Sequence, residues 1–465
     1  MDALEIRHPA EREAALLAAL PTLIAHARTA ASAFADILAD IDPATITSRA
    51  ALATLPVTRK HDLLARQQAQ RSTDVFGGFS TIGFGAAMPR VFSSPGPMYE
   101  PEGTRRDYWR MARALFAAGF RPGELVQNCF SYHFVPAGSM MENGAHALGC
   151  TVFPGGTGQT EQQVQAMAEL KPAGYIGTPS FLKIIVEKAA EMKVALPSVT
   201  KAMVSAEAFP PSLRDWLAER GIAGYQCYAT ADVGLIAYET EAREGLVLDE
   251  GVIVEIVRPG TGDPVPEGEV GELVVTTLNP DYPLIRFGTG DLSAVLPGAC
   301  PSGRTNTRIK GWMGRADQTT KVRGMFVHAS QVAEVLKRHP EIGRARLVVE
   351  GEMAADRMTL HVELPHAAPE GLAAWRLWLA RTFDVPVFLH LPTRIFNSPT
   401  DLKLFESLLR RKNLLATEVQ RITGIQGKAW RAGVQLQGSW REAMQLNLHS
   451  RLAQRVLIEL AHHQY

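Results

Sequence analysis

Hydrophobic and polar positions along this chain follow three successive patterns. Residues 11–40 are rich in alanine and leucine at helical spacing, and TRKHDLLARQQAQ continues with a second helical stretch. The segment 105-RRDYWRMARALFAAGF-120 predicts an amphipathic helix closed by Gly119, after which 122-PGELVQNCFSYHF-134 turns strand-like. Helix and strand patterns then alternate through GAHALGCTVFPGG, QQVQAMAELKPAGYIGTPS, FLKIIVEKAAEMKV and KAMVSAEAF, as in parallel βαβ units.

Near residue 245 the pattern changes. GLVLDEGVIVEIVRPGTGDPVPEGEVGELVVTTL is a run of short apolar strands broken by Gly, Pro and Asp, which predicts an antiparallel section with a hairpin turn at PEGEVGEL. From about Gly314, SQVAEVLKRHP predicts a helix, and RARLVVEGE and RMTLHVELP predict paired strands of a small α+β unit. The last 65 residues carry ten Lys/Arg against five Asp/Glu and predict helices, a packing appendage or a partner helix. The expected fold is α/β: a large α/β domain with an antiparallel section (1–316), the start of a small mobile α+β domain (317–384) and a divergent basic segment (385–465).

Composition narrows the function classes. A length of 465 residues calls for more than one core. The 48 basic residues balance 48 acidic ones, so no global field draws in nucleic acid or an anionic membrane. Cys129, Cys150, Cys227 and Cys300 are scattered without a Cys-x-x-Cys pair, so neither a disulfide framework nor a structural zinc is expected. The N-terminus mixes acids and bases and no apolar run is membrane-length, which predicts a cytoplasmic protein with reduced thiols.

Five segments carry candidate chemistry: 91-VFSSPGPMYEPEGTRRDYWR-110, 204-VSAEAFP-210, 225-YQCYATADVGLIAYE-239, 283-PLIRFGTGDLSAV-295 and 314-GRADQTTKVRGMFVHASQVAEVL-336. Taken singly, each has a structural explanation. Glu207 after a strand can cap a helix, Asp232 can cap a turn, and Asp291 in Thr-Gly-Asp can hold its own loop.

In combination, Ser-Ala-Glu, Tyr-Ala-Thr-Ala-Asp, Arg-Phe-Gly-Thr-Gly-Asp and Gly-Arg-Ala-Asp…Lys-Val-Arg-Gly resemble the phenylacetate-CoA ligase-like branch of the adenylate-forming acyl-CoA synthetases, from about Pro56 to about Val362. The resemblance implies an ATP-dependent acid–CoA ligase that uses Mg²⁺ and coenzyme A as co-substrate. A carboxylate, of aryl or arylacetic type in this branch, attacks the α-phosphate of ATP, and the thiol of coenzyme A then displaces AMP. Two alternatives stay open: an adenylating enzyme with a non-CoA acceptor, and a nucleotide or acyl-adenylate binding protein that has lost catalysis. A homodimer is also left open. A Rossmann dehydrogenase is disfavoured, since no Gly-x-Gly-x-x-Gly follows a strand.

The resemblance also assigns residues. Asp232 matches the Mg²⁺-binding carboxylate, usually Glu in the family, and Tyr228, with Ala229 and Thr230, matches the segment beside the adenine. Ala231 stands where relatives have Thr, so one phosphate hydrogen bond is missing unless Thr230 supplies it. Ser205, Ala206 and Glu207 match the adenine-pocket segment, Asp291 the ribose carboxylate and Arg315 a nucleotide-reaching arginine. Asp317 matches the interdomain hinge, and Gly324 the glycine passed by the pantetheine arm, while Lys321 and Arg323 are either ligand contacts or surface charges.

The opening Ser-Ser-Pro-Gly-Pro matches the family's phosphate loop but lacks its lysine. Ser93, Ser94 and Gly96 retain hydroxyls and close backbone approach, and Arg105 and Arg106 are candidates for the missing charge. Tyr132, His133, Phe134 and Ile236 are candidates for enclosing an aryl ring, or alternatively the aromatic end of a core strand. Relatives often carry Cys-Pro-Cys-Gly where this chain reads 300-CPSG-303, and their C-terminal adenylation lysine has its nearest counterpart in Lys428 of 424-GIQGKAWR-431.

Overall fold

A computed structural model describes residues 1–94, 98–316, 320–322, 325–327, 332–333, 336–337, 344–350 and 357–363. The chain divides into two compact units, Met1–Gln318 and Thr319–Tyr465. The proposed subdivision at 384/385 lies outside the described residues, as do Gly96, Asp317, Arg323, Gly324 and Lys428.

Unit 1 holds fifteen strands in chain order: β1 (Thr58–Arg59), β2 (Arg90–Ser94), β3 (Met98–Glu102), β4 (Leu125–Asn128), β5 (Thr151–Phe153), β6 (Gly174–Gly177), β7 (Lys201–Val204), β8 (Ala223–Thr230), β9 (Gly234–Tyr238), β10 (Leu246–Leu248), β11 (Val252–Val257), β12 (Gly271–Thr277), β13 (Phe287–Ser293), β14 (Val295–Leu296) and β15 (Arg308–Ile309). Strands β5-β4-β6-β7-β8 lie parallel in that order, joined by helices such as Ala137–Leu148, Thr160–Leu170 and Pro179–Glu191. The sheet then turns antiparallel through β9, β10, β15 and β14. These are the βαβ units expected from the alternating pattern. Strands β4, β6 and β7 are almost wholly buried, with Gln127 and Asn128 of β4 among the enclosed groups.

A second sheet, β1-β13-β12-β11, contains the antiparallel section expected near residue 245. Its fourth member was not expected from sequence. The two-residue β1 pairs parallel to β13, with Thr58 opposite Phe287 and Arg59 opposite Gly288. The helix Lys60–Gln70 starts directly after it, so Lys60 begins its helix beside the strand that carries Asp291. A separate hairpin, β2–β3, brackets the phosphate-loop sequence, with Ser94 opposite Met98.

One expected helix is shorter than its periodicity suggests. Of 105–120, only Ala112–Ala117 is α-helical. Asp107 and Arg110 both adopt left-handed backbone, and the Asp107 carboxylate accepts from the Ala112 amide at 3.2 Å, starting the helix late. Arg110 is drawn instead to Asp249, at 2.9 Å, and to the carbonyls of Val233 and Leu235. A tertiary ion pair overrides the local pattern here.

Two apolar clusters form the core of unit 1. One packs the N-terminal helices against β9–β13 through residues such as Leu20, Phe34, Ile253 and Phe287; the other packs Trp109, Leu115, Phe120 and Met203 around the parallel strands. A buried charged group sits among them. Glu5 accepts from Arg304 Nε (2.6 Å) and Tyr238 Oη (2.9 Å) on one oxygen, and from the Asp2 amide (2.7 Å) on the other. Burial works against its charge, but the Arg304 and Asp2 donors hold its carboxyl below the usual range.

In unit 2, Arg344–Glu350 (β18) and Arg357–Glu363 (β19) pair antiparallel over their full lengths, as the sequence predicts. Thr320–Val322 (β16) and Met325–Val327 (β17) form a second antiparallel pair, and Val332, Ala333, Leu336 and Lys337 of the predicted SQVAEVLKRHP helix are helical.

Candidate active site

The candidate site lies at the carboxyl ends of β7 and β8, where open α/β sheets commonly bind ligands. Three of the predicted residues meet directly. Asp291, near the end of β13, accepts from Tyr228 Oη at 2.7 Å on one carboxylate oxygen, and from Trp312 Nε1 and an Arg315 guanidinium nitrogen, both at 3.0 Å, on the other. Arg315 also donates to the Thr289 carbonyl at 2.9 Å, and Asp291 and Arg315 form a β-bridge. The strand geometry and the side-chain bonds therefore fix the same pair twice. Burial and the adjoining Asp291 charge raise the Tyr228 hydroxyl well above its ordinary pKa, so the phenol stays a donor.

Four residues beyond Tyr228, Asp232 sits in the turn between β8 and β9, 5% exposed. One of its oxygens accepts from Lys60 Nζ at 3.1 Å; the other is buried without a partner. Burial opposes the Lys60 charge, but the carboxylates of Asp232 and then Glu100 outweigh it and raise the lysine pKa. Arg315, paired with Asp291, repels the same ammonium, so the Asp291–Arg315 and Asp232–Lys60 pairs lie in one another's electrostatic field. Thr230 accepts from the Val233 amide at 3.2 Å, so its hydroxyl oxygen holds the turn that presents Asp232.

The adenine-pocket segment follows β7. Ser205 is buried and donates to the Cys227 carbonyl at 2.8 Å. Ala206 adopts φ +69°, a left-handed conformation that costs an alanine about 1 kcal/mol. Glu207 sits by the first turn of the helix Pro179–Glu191, near the Ser180 amide at 3.4 Å, which fits the helix-cap reading of this acid.

On the phosphate-loop side the structure differs from expectation in three respects. Ser94 is buried, and its hydroxyl is committed to Glu100, so it is not an open phosphate donor. Arg105 bonds Asn279 and Asp281 and lies over the Tyr108 ring, while Arg106 bonds the Ala147 carbonyl. Both arginines line a separate cavity of about 330 Å³ with Arg110 and Asn279. Among the described residues, the cation bonded to Asp232 is Lys60, which sequence reasoning missed because one lysine at a helix start carries no local signal.

Glu100 was missed as well. It is fully buried on β3, on the same face as Met98 and Glu102. One oxygen takes the Ser94 hydroxyl and the other has no partner. Burial, reinforced by the Asp232 charge, raises its pKa to about 8. Two acids two residues apart in a strand that otherwise buries apolar groups were the available clue.

The predicted ring pocket is placed differently. Tyr132 donates to Glu142 at 2.7 Å and accepts from Asn128 at 2.8 Å, which fixes its phenol. Phe134 is 74% exposed with φ +60°, and its carbonyl accepts the Ser93 amide at 2.8 Å, tying this loop to β2. His133 is exposed. Ile236 is fully buried within the first core cluster, a packing position, because every residue of β9 is enclosed. These four side chains do not enclose a common ring in this structure.

Comparison with known proteins shows the family. A family model described as AMP-binding enzyme matches residues 105–279, and a second, described as the RlmL ferredoxin-like domain, matches 412–457, outside the described residues. The phenylacetate-coenzyme A ligase of Thermus thermophilus is 32% identical over 342 residues, 70% of this chain and 75% of that one. That of Aromatoleum evansii is 31% identical over 347 residues, 71% and 76% respectively. Among solved structures, 2-hydroxyisobutyryl-CoA ligase with 2-HIB-AMP and CoA shares the fold at a TM-score of 0.70 and 24% identity, covering 88% of this chain and 94% of that one. Fold, family model and relatives together define an adenylate-forming, AMP-binding enzyme. Within that class, the chain belongs to the phenylacetate-coenzyme A ligase family.

Proposed function

We propose that this protein is an AMP-forming acid–CoA ligase acting on phenylacetate or a related aryl carboxylate. A carboxylate oxygen bonds to the α-phosphorus of ATP as the bond to the β-phosphate oxygen breaks, releasing pyrophosphate. The coenzyme A thiol then attacks the acyl carbon, loses its proton and expels AMP. The observation that supports this reading is the Asp291 carboxylate held by Tyr228, Trp312 and Arg315, with Asp232 four residues beyond Tyr228 keeping one buried oxygen without a partner.

In this reading Asp291 holds the ribose. An ionised carboxylate offers about four acceptor sites, and Tyr228, Trp312 and Arg315 occupy three of those on Asp291. One ribose hydroxyl binds directly, and the second displaces a resident donor. Trp312, 56% exposed, is the donor free to swing aside.

Asp232 is the assigned Mg²⁺ ligand. Its orphaned buried oxygen is a hard donor suited to that ion. When bound, Mg²⁺ neutralises charge on the phosphates; Lys60 contributes protein charge on the same side, and the Ser205–Glu207 segment lines the base. Lys428 is assigned to the carboxylate and α-phosphate oxygens during adenylation, with Asp317 as hinge and Gly324 beside the pantetheine arm.

Carboxylate-dependent ATP–pyrophosphate exchange across a panel of aryl, arylacetic and short aliphatic acids tests the reading. Exchange with an aryl-type acid, followed by thioester formation on free coenzyme A, is the expected result. Exchange without thioester would move the assignment to a non-CoA acceptor. Lys428→Ala should lower exchange by roughly a hundredfold or more, the usual cost of removing a donor aimed at developing charge; equal rates would remove Lys428 from the mechanism.

A further inference from the structure

The Asp291 carboxylate is occupied unevenly. Its Oδ1 accepts two donors at 3.0 Å, the Trp312 indole Nε1 and an Arg315 guanidinium nitrogen, while Oδ2 accepts the Tyr228 hydroxyl at 2.7 Å. Each oxygen of an ionised carboxylate has about two acceptor sites. Oδ1 is therefore full, and Oδ2 has one site to spare. A sugar cis-diol offers two O–H donors to such a group, one to each oxygen. Oδ2 can take one of them at once, but Oδ1 can take the other only after a resident donor leaves.

The two donors on Oδ1 are not held alike. Arg315 is bridged to Asp291 through the backbone and donates to the Thr289 carbonyl at 2.9 Å. Its guanidinium also packs so closely on Gly290 that a Cβ there would collide with it. Trp312 is 56% exposed, next to Met313 at 45%. The chain on either side of it is fixed, since the Lys310 amide donates to Ala294 and the Met313 amide to Leu292, both at 2.9 Å. The indole can thus leave Asp291 by turning about its own side-chain bonds, with the backbone in place.

We propose that Trp312 is a latch on the ribose carboxylate: its indole N–H stands where one sugar hydroxyl binds, and a ribonucleotide must displace it to engage both oxygens of Asp291. Exchanging an N–H for an O–H on one charged oxygen gains little, whereas filling a vacant site there would gain a whole charge-assisted bond. The latch therefore weakens ribonucleotide binding. A deoxynucleotide with a single hydroxyl engages Oδ2 and leaves the latch shut, so Trp312 also narrows the preference for ribose over deoxyribose. The inference rests on Asp291 holding the ribose, as in the ligase reading above, and it is tested without turnover.

The experiment is calorimetric titration of the full-length protein with AMP, 2′-deoxyAMP and 3′-deoxyAMP, with no carboxylate or coenzyme A present. Trp312→Phe keeps an aromatic ring and removes the N–H. It should bind AMP about fivefold more tightly than wild type, the effect of removing a competing hydrogen bond at a charged, partly solvated oxygen. The deoxynucleotide that lacks the hydroxyl meeting Oδ1 should bind both proteins alike, so the ribose-to-deoxyribose ratio widens about fivefold in the variant. A purely structural role for the indole would not move that ratio. AMP should also change the tryptophan emission of wild type more than that of Trp312→Phe, and thermal unfolding checks that the variant is folded.

Equal AMP affinity in the two proteins would overturn the latch, as would a shift shared by AMP and both deoxynucleotides. Weaker AMP binding by Trp312→Phe would overturn it too, and make the indole a ligand contact. Asp291→Asn separates the two readings. If it binds AMP as wild type does, the ribose assignment falls and takes the latch with it; if it binds AMP weakly while Trp312→Phe changes nothing, the latch alone falls.

Discussion

Two buried acid clusters in unit 1 use the same ingredients to different ends. At Glu5, one carboxylate meets the Arg304 guanidinium, a tyrosine hydroxyl and a backbone amide, and both oxygens are occupied. At Asp232 one oxygen takes the Lys60 ammonium, at Glu100 one oxygen takes the Ser94 hydroxyl, and each acid keeps a bare oxygen. The first cluster is electrostatically complete and ties the N-terminus to the sheet. The second leaves two acid oxygens unpaired, and burial with the Asp232 charge keeps Glu100 largely protonated near neutral pH. A buried charge group that satisfies itself reads as structure, whereas one that leaves acceptors unpaired reads as a place for a ligand.

The largest effect that would sharpen this contrast is on stability. Glu5→Ala takes the acceptor from the buried Arg304 Nε and leaves that guanidinium only Ser302 and the more exposed Glu241, which should cost about 3 kcal/mol, measured by the midpoint of denaturant unfolding, with pyrophosphate exchange per folded molecule unchanged. Glu100→Gln should cost under about 1 kcal/mol or stabilise, since it removes an acid that burial already disfavours. Equal losses in the two variants would break the comparison.

Next in size is the ribose carboxylate, which sits in the cleft yet is well bonded. Asp291→Asn should raise KM for ATP about ten- to a hundredfold, the loss of a charge-assisted hydrogen bond worth roughly 1.5–3 kcal/mol. A change in kcat alone would place the residue outside ground-state binding.

The smallest expected effect is on pH dependence, and its sign differs between the clusters. The folded chain holds Glu5 below its ordinary 4.5, so the stability it contributes is complete above that pH and drains away as pH falls further. Glu100, facing Asp232, Lys60 and Ser94, is raised to about 8, so the folded chain binds its proton more tightly and loses stability as pH climbs from about 4.5 to about 8. Unfolding midpoints against pH should show Glu5→Gln flattening the acid limb and Glu100→Gln flattening the neutral one.

The half of the site contributed by the Tyr-Ala-Thr-Ala-Asp and Thr-Gly-Asp segments was legible because each is a contiguous motif, and the structure bonds Tyr228 and Arg315 to Asp291, with Asp232 in the turn after Tyr228. The βαβ order and the β18–β19 pair were legible from periodicity. Lys60 and Glu100 were not, since their meaning comes from pairings between distant segments: β1 with β13, and Gln67 with Tyr99. The helix over 105–111 was misread for the same reason, as Arg110 serves Asp249 at a separation of 139 residues. The ring pocket failed where Phe134 took a left-handed backbone that no periodicity encodes.

The two residues of β1 also set an order of events during synthesis. Thr58 bonds Ile285 across 227 positions, so the wall carrying Lys60 must wait for most of unit 1 to leave the ribosome. The nucleotide cleft is therefore completed late in biogenesis. A nascent chain halted before β13 would have its parallel strands and lack a place for ATP.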